Sequence, residues 1–160
     1  MRIVSKRITV KSRSELDIVD ITDDVEELVE ASKVIDGIAT IFVAGSTGAL
    51  TTIEYEPGLL VDFRAMLQRI APNNIHYEHE KRWHDGNGHS HVRASLLGPS
   101  ITIPIADSQL ALGRWQQLVF VELDARARSR ELVVQILGEK KREMHGQDTS
   151  DPNDHGRYTG

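Results

Sequence analysis

A chain of 160 residues without a cysteine excludes disulfides, thiolate zinc sites and cysteine nucleophiles together, and fits a reducing, cytoplasmic setting. That length suits one domain, which buries roughly 70% of its unfolded surface, so a bound metal would serve function rather than folding. A formal net charge of −5 argues against nucleic acid as a partner, and Met1 to Arg7 lead straight into strand-like sequence with no apolar run suited to a signal peptide or a membrane span.

From Arg2 to Ile21, apolar and polar residues alternate around Ile3, Ile8, Val10, Leu16, Ile18 and Ile21. The break at Lys11 to Ser14 predicts a β-hairpin. Thr22, Asp23 and Asp24 offer capping oxygens, and Val25, Leu28, Val29 and Ser32 follow at helical spacing. A helix is expected to about Ile35, ended by Asp36-Gly37. Ile38 to Val43 and Leu50 to Tyr55 are apolar, β-branched runs that read as paired core strands. Glu56-Pro57-Gly58 opens a second helix whose apolar face is Leu59, Leu60, Phe63, Met66, Leu67 and Ile70, stopped at Ala71 to Asn74.

A short helix over His89 to Leu97, closed by Gly98-Pro99, follows the histidine-rich segment. Ser100 to Ile105, Trp115 to Leu123 and Glu131 to Leu137 read as strands. Residues 139–160 contain few apolar side chains and read as a flexible polar tail on a domain spanning 1–138. The mixture lacks regular βαβ alternation, which predicts an α+β domain with a largely antiparallel sheet and two main helices. Its edge strands favour oligomerisation through the sheet.

Five of the seven histidines fall between His76 and His91. Imidazoles beside Asp85 and Glu78 suit a divalent-metal or acid/base site. His89 and His91 share a side on a strand but lie about 200° apart on a helix. If His91 starts the helix and His89 precedes it, both can reach one ion, with Asp85 or His84 completing the shell. His76 and His79 read better as solvated loop residues. Asp85-Gly86-Asn87-Gly88 fits either a turn supplying hard oxygen ligands or a plain tight turn.

Gly45-Ser46-Thr47-Gly48 lacks a following lysine and reads as a hairpin turn more readily than an anion loop. Glu54 and Glu56 share a strand face as an acid/base or ligand pair, unless Glu56 caps the helix begun at Pro57. Trp115 reads as core or interface, with Gln116 as a ligand contact. Lys81, Arg82 and Arg93 flank the histidines, where they can meet a phosphorylated small molecule or solvent.

Together His84-Asp85-Gly86-Asn87-Gly88-His89-Ser90-His91-Val92-Arg93, Ile103-Pro104-Ile105, Leu112-Gly113-Arg114-Trp115-Gln116-Gln117 and Glu122-Leu123-Asp124 resemble the YjbQ family over about residues 1 to 138. The resemblance implies a compact α+β domain, a homotrimer, and a histidine-centred, often metal-occupied pocket near subunit contacts. It implies catalytic roles for His91, Glu54 and Asp85 and ligand contacts for Asn87 and Arg93, to which strand alternation adds Gln116. For the divalent ion, zinc or magnesium, the ligand set is His84, His89, His91 and Asp85. Many members carry His-Thr-Ser-Ala-Gly where this chain has Gly45 to Ala49, so His89 or His84 would have to stand in for that histidine.

The activity implied is a thiamine-phosphate synthase reaction, a condensation of a pyrimidine methyl diphosphate with a thiazole phosphate. Pyrophosphate is expelled as the ion and Arg93, Lys81 or Arg82 neutralise its charge. It looks like a side activity of a site with another substrate. The competing readings are a non-catalytic trimer binding a metal or small ligand, and a metal-assisted hydrolase of a phosphorylated metabolite with Glu54 or His89 as base.

Overall fold

The computed structural model describes residues 1–140; the tail expected beyond them lies outside the described residues. In chain order the elements are β1 (Arg2–Lys11), β2 (Ile18–Asp20), α1 (Thr22–Ser32), β3 (Val34–Val43), β4 (Gly48–Ile53), α2 (Pro57–Ile70), α3 (Glu80–Trp83), α4 (Gly88–Leu97), β5 (Ser100–Ala106), β6 (Gln109–Leu110), β7 (Gln117–Glu122) and β8 (Ser129–Lys140). The strands form a five-stranded sheet, β1-β8-β3-β5-β6, and a three-stranded sheet, β2-β7-β4. All pairings are antiparallel, as the α+β reading predicts.

Strand alternation builds the core. Ala39, Ile41 and Val43 of β3, Ile103 and Ile105 of β5, and Leu132, Val134 and Ile136 of β8 point at Leu50, Leu118 and Phe120 of the smaller sheet, with Val25 and Val29 of α1 beside them. The opposite face of that sheet, Ile18, Ala49, Ile53, Val119 and Val121, packs on Leu67 and Phe63 of α2 and Ala94 of α4. β7 is therefore covered on both faces, which is why it reads as an unbroken apolar run. No helix among the described residues is long and apolar enough to cross a membrane.

Two predicted pairings are corrected. β1 and β2 do not form a hairpin: β1 pairs with β8 from Arg2↔Gly138 to Lys11↔Ser129, whereas β2 pairs with β7. Between them the chain turns under the sheets, where Ser12 N donates to Arg128 O and Leu16 N to Glu122 O. Nor do β3 and β4 pair; they belong to different sheets. Alternation reveals which side chains face inward, but it says nothing about which strand lies alongside.

α1 also ends earlier than expected. Lys33 takes the left-handed conformation at φ 60 and closes it, and β3 begins at once. Asp36-Gly37 sits inside that strand at a bulge, not at a helix end. Gly37 faces Gly138 so closely that a Cβ on either would meet the backbone of the opposite strand. α2 follows expectation: Pro57 opens it and the Glu56 carboxylate accepts from the N–H groups of Gly58 and Leu59. Glu56 thus serves as the helix cap. The short α3, within the histidine segment, was not expected.

Candidate functional site

The segment joining α2 to α4 is held by local bonds. Tyr77 Oη donates to Pro72 O at 2.8 Å. His84 closes α3 in the left-handed conformation, φ 54. Glu80 then reaches across the next turn, its carboxylate accepting from Gly86 N at 2.7 Å and Gly88 N at 2.9 Å. Gly86 has φ 70, a conformation that favours glycine. At Gly88 a Cβ would press into Tyr77, so the turn closes only without a side chain there.

This turn brings Asp85 and Asn87 to His91, in the first turn of α4. One heavy atom of the Asn87 amide lies 2.9 and 3.2 Å from the two Asp85 oxygens and 3.3 Å from His91 Nε2. As NH₂ it donates to both partners. Turned over, the amide oxygen would join a carboxylate and an imidazole lone pair, three acceptors that repel one another unless a cation lies between them. The NH₂ orientation joins the three groups without an ion, and the turned-over one would offer an amide oxygen, a carboxylate and an imidazole, donors of the kind a divalent ion takes.

His79 borders the group, its ring centroid 4.4 Å from that of His91 and its Nε2 3.7 Å from Asp85 Oδ1. Burial holds His91 below the ordinary histidine pKa, helped by the neighbouring His79 and opposed by Asp85, Asp124 and Glu80. Its neutral form, whose Nε2 lone pair accepts from the Asn87 amide, is favoured. A cavity of about 500 Å³ opens here, lined by Tyr77, His79, His91, Val92 and Ser95 among others.

Asp124, from the β7–β8 connection, lies near enough for its charge to act on His91. Burial alone would raise its pKa, but hydrogen bonds from Arg128 and Thr47 bring it below the ordinary carboxylate value. Thr47 Oγ1 donates to it at 3.1 Å, and Arg128 Nη2 donates at 2.9 Å. Arg130 bridges from Thr47 Oγ1 to the fully buried Glu122. The Gly45–Gly48 segment is thus engaged in an internal polar network.

The other expected site residues are dispersed. His89 turns to the opposite side of α4, its Nε2 2.9 Å from Glu15 Oε1. Arg93, with no exposed surface, donates to the same oxygen at 2.6 Å, to Ala71 O at 2.9 Å and to Gln68 Oε1 at 3.0 Å. It is a buried clamp between α4, α2 and the β1–β2 connection, not a group facing the cleft. His84 is exposed on the loop. Of the expected metal set only His91 and Asp85 share the cleft, and among the described residues no three His, Asp or Glu side chains converge as a preformed metal shell.

Glu54 lines a different cavity, about 350 Å³, with Asp20, Tyr55, Arg114 and Trp115. Trp115 is 63% exposed, so it is not a core residue of this chain. Gln116 accepts from Gly113 N at 3.1 Å, donates to Thr52 Oγ1 at 3.0 Å, and borders a third cavity of about 890 Å³ beside α1. Sequence reasoning missed His79, Glu80 and Asp124 beside the cleft, and Glu15 as the partner of His89 and Arg93 on the far side of α4. Only Asp124 had a signal, in the Glu122-Leu123-Asp124 element.

Two antiparallel sheets backed by helices, with His91, Asp85 and Asn87 gathered at the start of α4, define an α+β domain of the YjbQ kind. The family model described as "UPF0047 protein YjbQ-like" matches residues 6–139, and the chain belongs to that family. A UPF0047 protein of Archaeoglobus fulgidus is 36% identical over 130 residues, 81% of this chain and 98% of its own. The crystal structure of a YbjQ-like protein of unknown function from Sulfolobus solfataricus P2 superposes with TM-score 0.82 at 36% identity, covering 86% of this chain and 99% of that one. A YjbQ/UPF0047 family protein from Clostridium acetobutylicum gives TM-score 0.76 at 32% identity, over 82% and 99%.

Proposed function

We propose that the His91 cleft is an active site for a phosphorylated small molecule, with a divalent ion, zinc or magnesium, held by His91, Asp85 and Asn87. The observation that carries this reading is the close approach of the Asn87 amide to both the Asp85 carboxylate and Nε2 of His91, whose imidazole is kept neutral by burial. Neutral imidazole is the form that binds a metal or accepts a proton.

The surrounding charges support a need for the ion. Glu78, Glu80 and Asp85 ring the cleft, while Lys81 pairs with Glu78 at 2.6 Å and Arg82 lies 5.3 Å from the centroid of the Trp83 ring. Arg93 is inside the protein. A bound divalent ion supplies the positive charge that a phosphoryl or diphosphate group requires in such a setting. Asp85 and Asn87 orient His91, His79 closes one side, and Val92 presents an apolar wall to the substrate. The reaction that the resemblance implies joins the pyrimidine methylene carbon to the thiazole nitrogen as the bond from that carbon to the diphosphate oxygen breaks. Thiamine-phosphate synthase activity is then a side activity of a transferase-like site.

The working unit in this reading is a cytoplasmic homotrimer. Exposed Trp83, Val92 and Leu96 lie near the cleft, and exposed Tyr55 and Trp115 lie at the Glu54 cavity. Two unlike apolar patches suit a head-to-tail contact that closes into a ring, and such a ring would bring Glu54 and Gln116 to a neighbour's cleft.

The test is elemental analysis of purified wild type and His91→Ala at matched folding and oligomeric state, followed by turnover assays with the two phosphorylated substrates. About one ion per chain, lost together with turnover in the variant, is the expected result. Absence of metal after added Zn²⁺, Mn²⁺ or Mg²⁺ overturns the reading. Stoichiometric metal with no turnover of any phosphorylated substrate would make the trimer a binding protein instead.

A further inference from the structure

An asparagine that precedes a helix ordinarily caps it, its side-chain oxygen accepting from a backbone N–H of the first turn. Asn87 precedes α4, a helix of ten residues, yet makes no such bond. Its amide points instead at Asp85 and His91. The capping is done from elsewhere: the Glu80 carboxylate takes the N–H of Gly88, the first residue of the helix, and that of Gly86 in the turn before it. Those two N–H groups hold Glu80 ionised, below the ordinary glutamate pKa, Gly88 contributing more than Gly86. Its charge also lies at the positive end of α4.

We infer that Glu80 is a positioning residue for the His91 site: by capping α4 in place of Asn87, it releases the Asn87 amide to bridge Asp85 and His91. The inference rests on the reading of this cleft as a cation site, and it adds a residue that never touches the ion. Gly88 is part of the device, since a side chain there would press into Tyr77 and crowd Glu80. With Glu80 removed, the Asn87 side chain is the nearest capping group left, and capping would draw it away from His91. The chain then has a choice between a capped helix and an assembled site, where with Glu80 it has both.

The test uses the full chain with Glu80→Ala, Glu80→Gln, Asn87→Ala and the Glu80→Ala/Asn87→Ala double variant. Three quantities are measured: amide hydrogen exchange at Gly86 and Gly88, the NMR shift of the Asn87 side-chain NH₂, and Zn²⁺ affinity by calorimetry. In Glu80→Ala, exchange at both glycines should accelerate while β7 and β8 stay protected, the Asn87 resonance should move, and Zn²⁺ should bind roughly 10- to 100-fold more weakly. Glu80→Gln keeps an acceptor for one N–H and turns NH₂ towards the other, so its losses should fall between. Because Glu80 acts through Asn87, the Glu80→Ala loss should largely vanish in the Asn87→Ala background.

Unchanged exchange, an unmoved Asn87 resonance, or fully additive losses would overturn the inference. Wild type that binds no Zn²⁺ would defeat the cation reading alone; exchange at Gly86 and Gly88 and the Asn87 resonance would still decide the role of Glu80.

Discussion

Glu15 Oε1 lies 2.6 Å from Nη1 of Arg93, joining the β1–β2 connection to a guanidinium with no exposed surface. The same oxygen meets His89. Removing one partner of a buried pair leaves the other charge without compensation. Glu15→Ala should therefore lower unfolding free energy by about 3 kcal/mol, the small end of the usual range because Glu15 is partly exposed. Urea unfolding would measure it. A loss within the scatter of ordinary surface substitutions would mean that Gln68 and Ala71 alone satisfy Arg93.

His91 gives stability a pH dependence. Its folded pKa is depressed, so between that value and the unfolded one, about 6.5, the unfolded chain binds more protons than the native state. Stability from this residue is present above the unfolded pKa and falls as pH drops below it. His91→Gln should flatten the rise of the unfolding midpoint across about pH 5 to 7. Identical slopes for wild type and variant would remove His91 from the account.

The cleft separates histidines that look equivalent in sequence. Asp85→Ala and Asn87→Ala should weaken Zn²⁺ binding, whereas His84→Ala, on the exposed loop, should leave it unchanged. Titration calorimetry on the three proteins decides this. Loss of binding in His84→Ala would show that the loop refolds around the ion.

Gly37 and Gly138 face each other across β3 and β8 with no room for a Cβ on either. Gly138→Ala should cost about 1 to 3 kcal/mol, the range for forcing atoms into packed space. A thermal midpoint equal to that of the wild type would mean the bulge beside Asp36 absorbs the methyl group.

What could be read in the sequence was what neighbouring residues decide among themselves. α2 shows this, because Pro57, the Glu56 cap and the apolar stripe from Leu59 to Ile70 all lie within one segment. β8 shows the reverse: its inward residues are evident from alternation, but its place between β1 and β3 depends on partners at the far end of the chain. The site divides in the same way. Asp85, Asn87 and His91 lie within one turn and the helix start that follows it, so their grouping was legible. Asp124 arrives from a distant connection, so the Glu122-Leu123-Asp124 element marks it without placing it, and nothing in the sequence joins Glu15 to His89 and Arg93. The turning apart of His89 and His91 was contained in the helical period, once α4 was known to begin at Gly88.

The position of β8 governs the order in which this fold can be completed. Among the described residues its only sheet neighbours are β1 and β3, and within the sheet β1 pairs with no other strand. A nascent chain that has not yet reached Ser129 therefore has no ladder for its first strand and leaves one edge of β3 open. Loop closure across nearly the whole domain must precede that half of the core, a topology that slows folding and exposes strand edges to other copies meanwhile. During synthesis the helical layer can gather early, but the large sheet waits for the final strand.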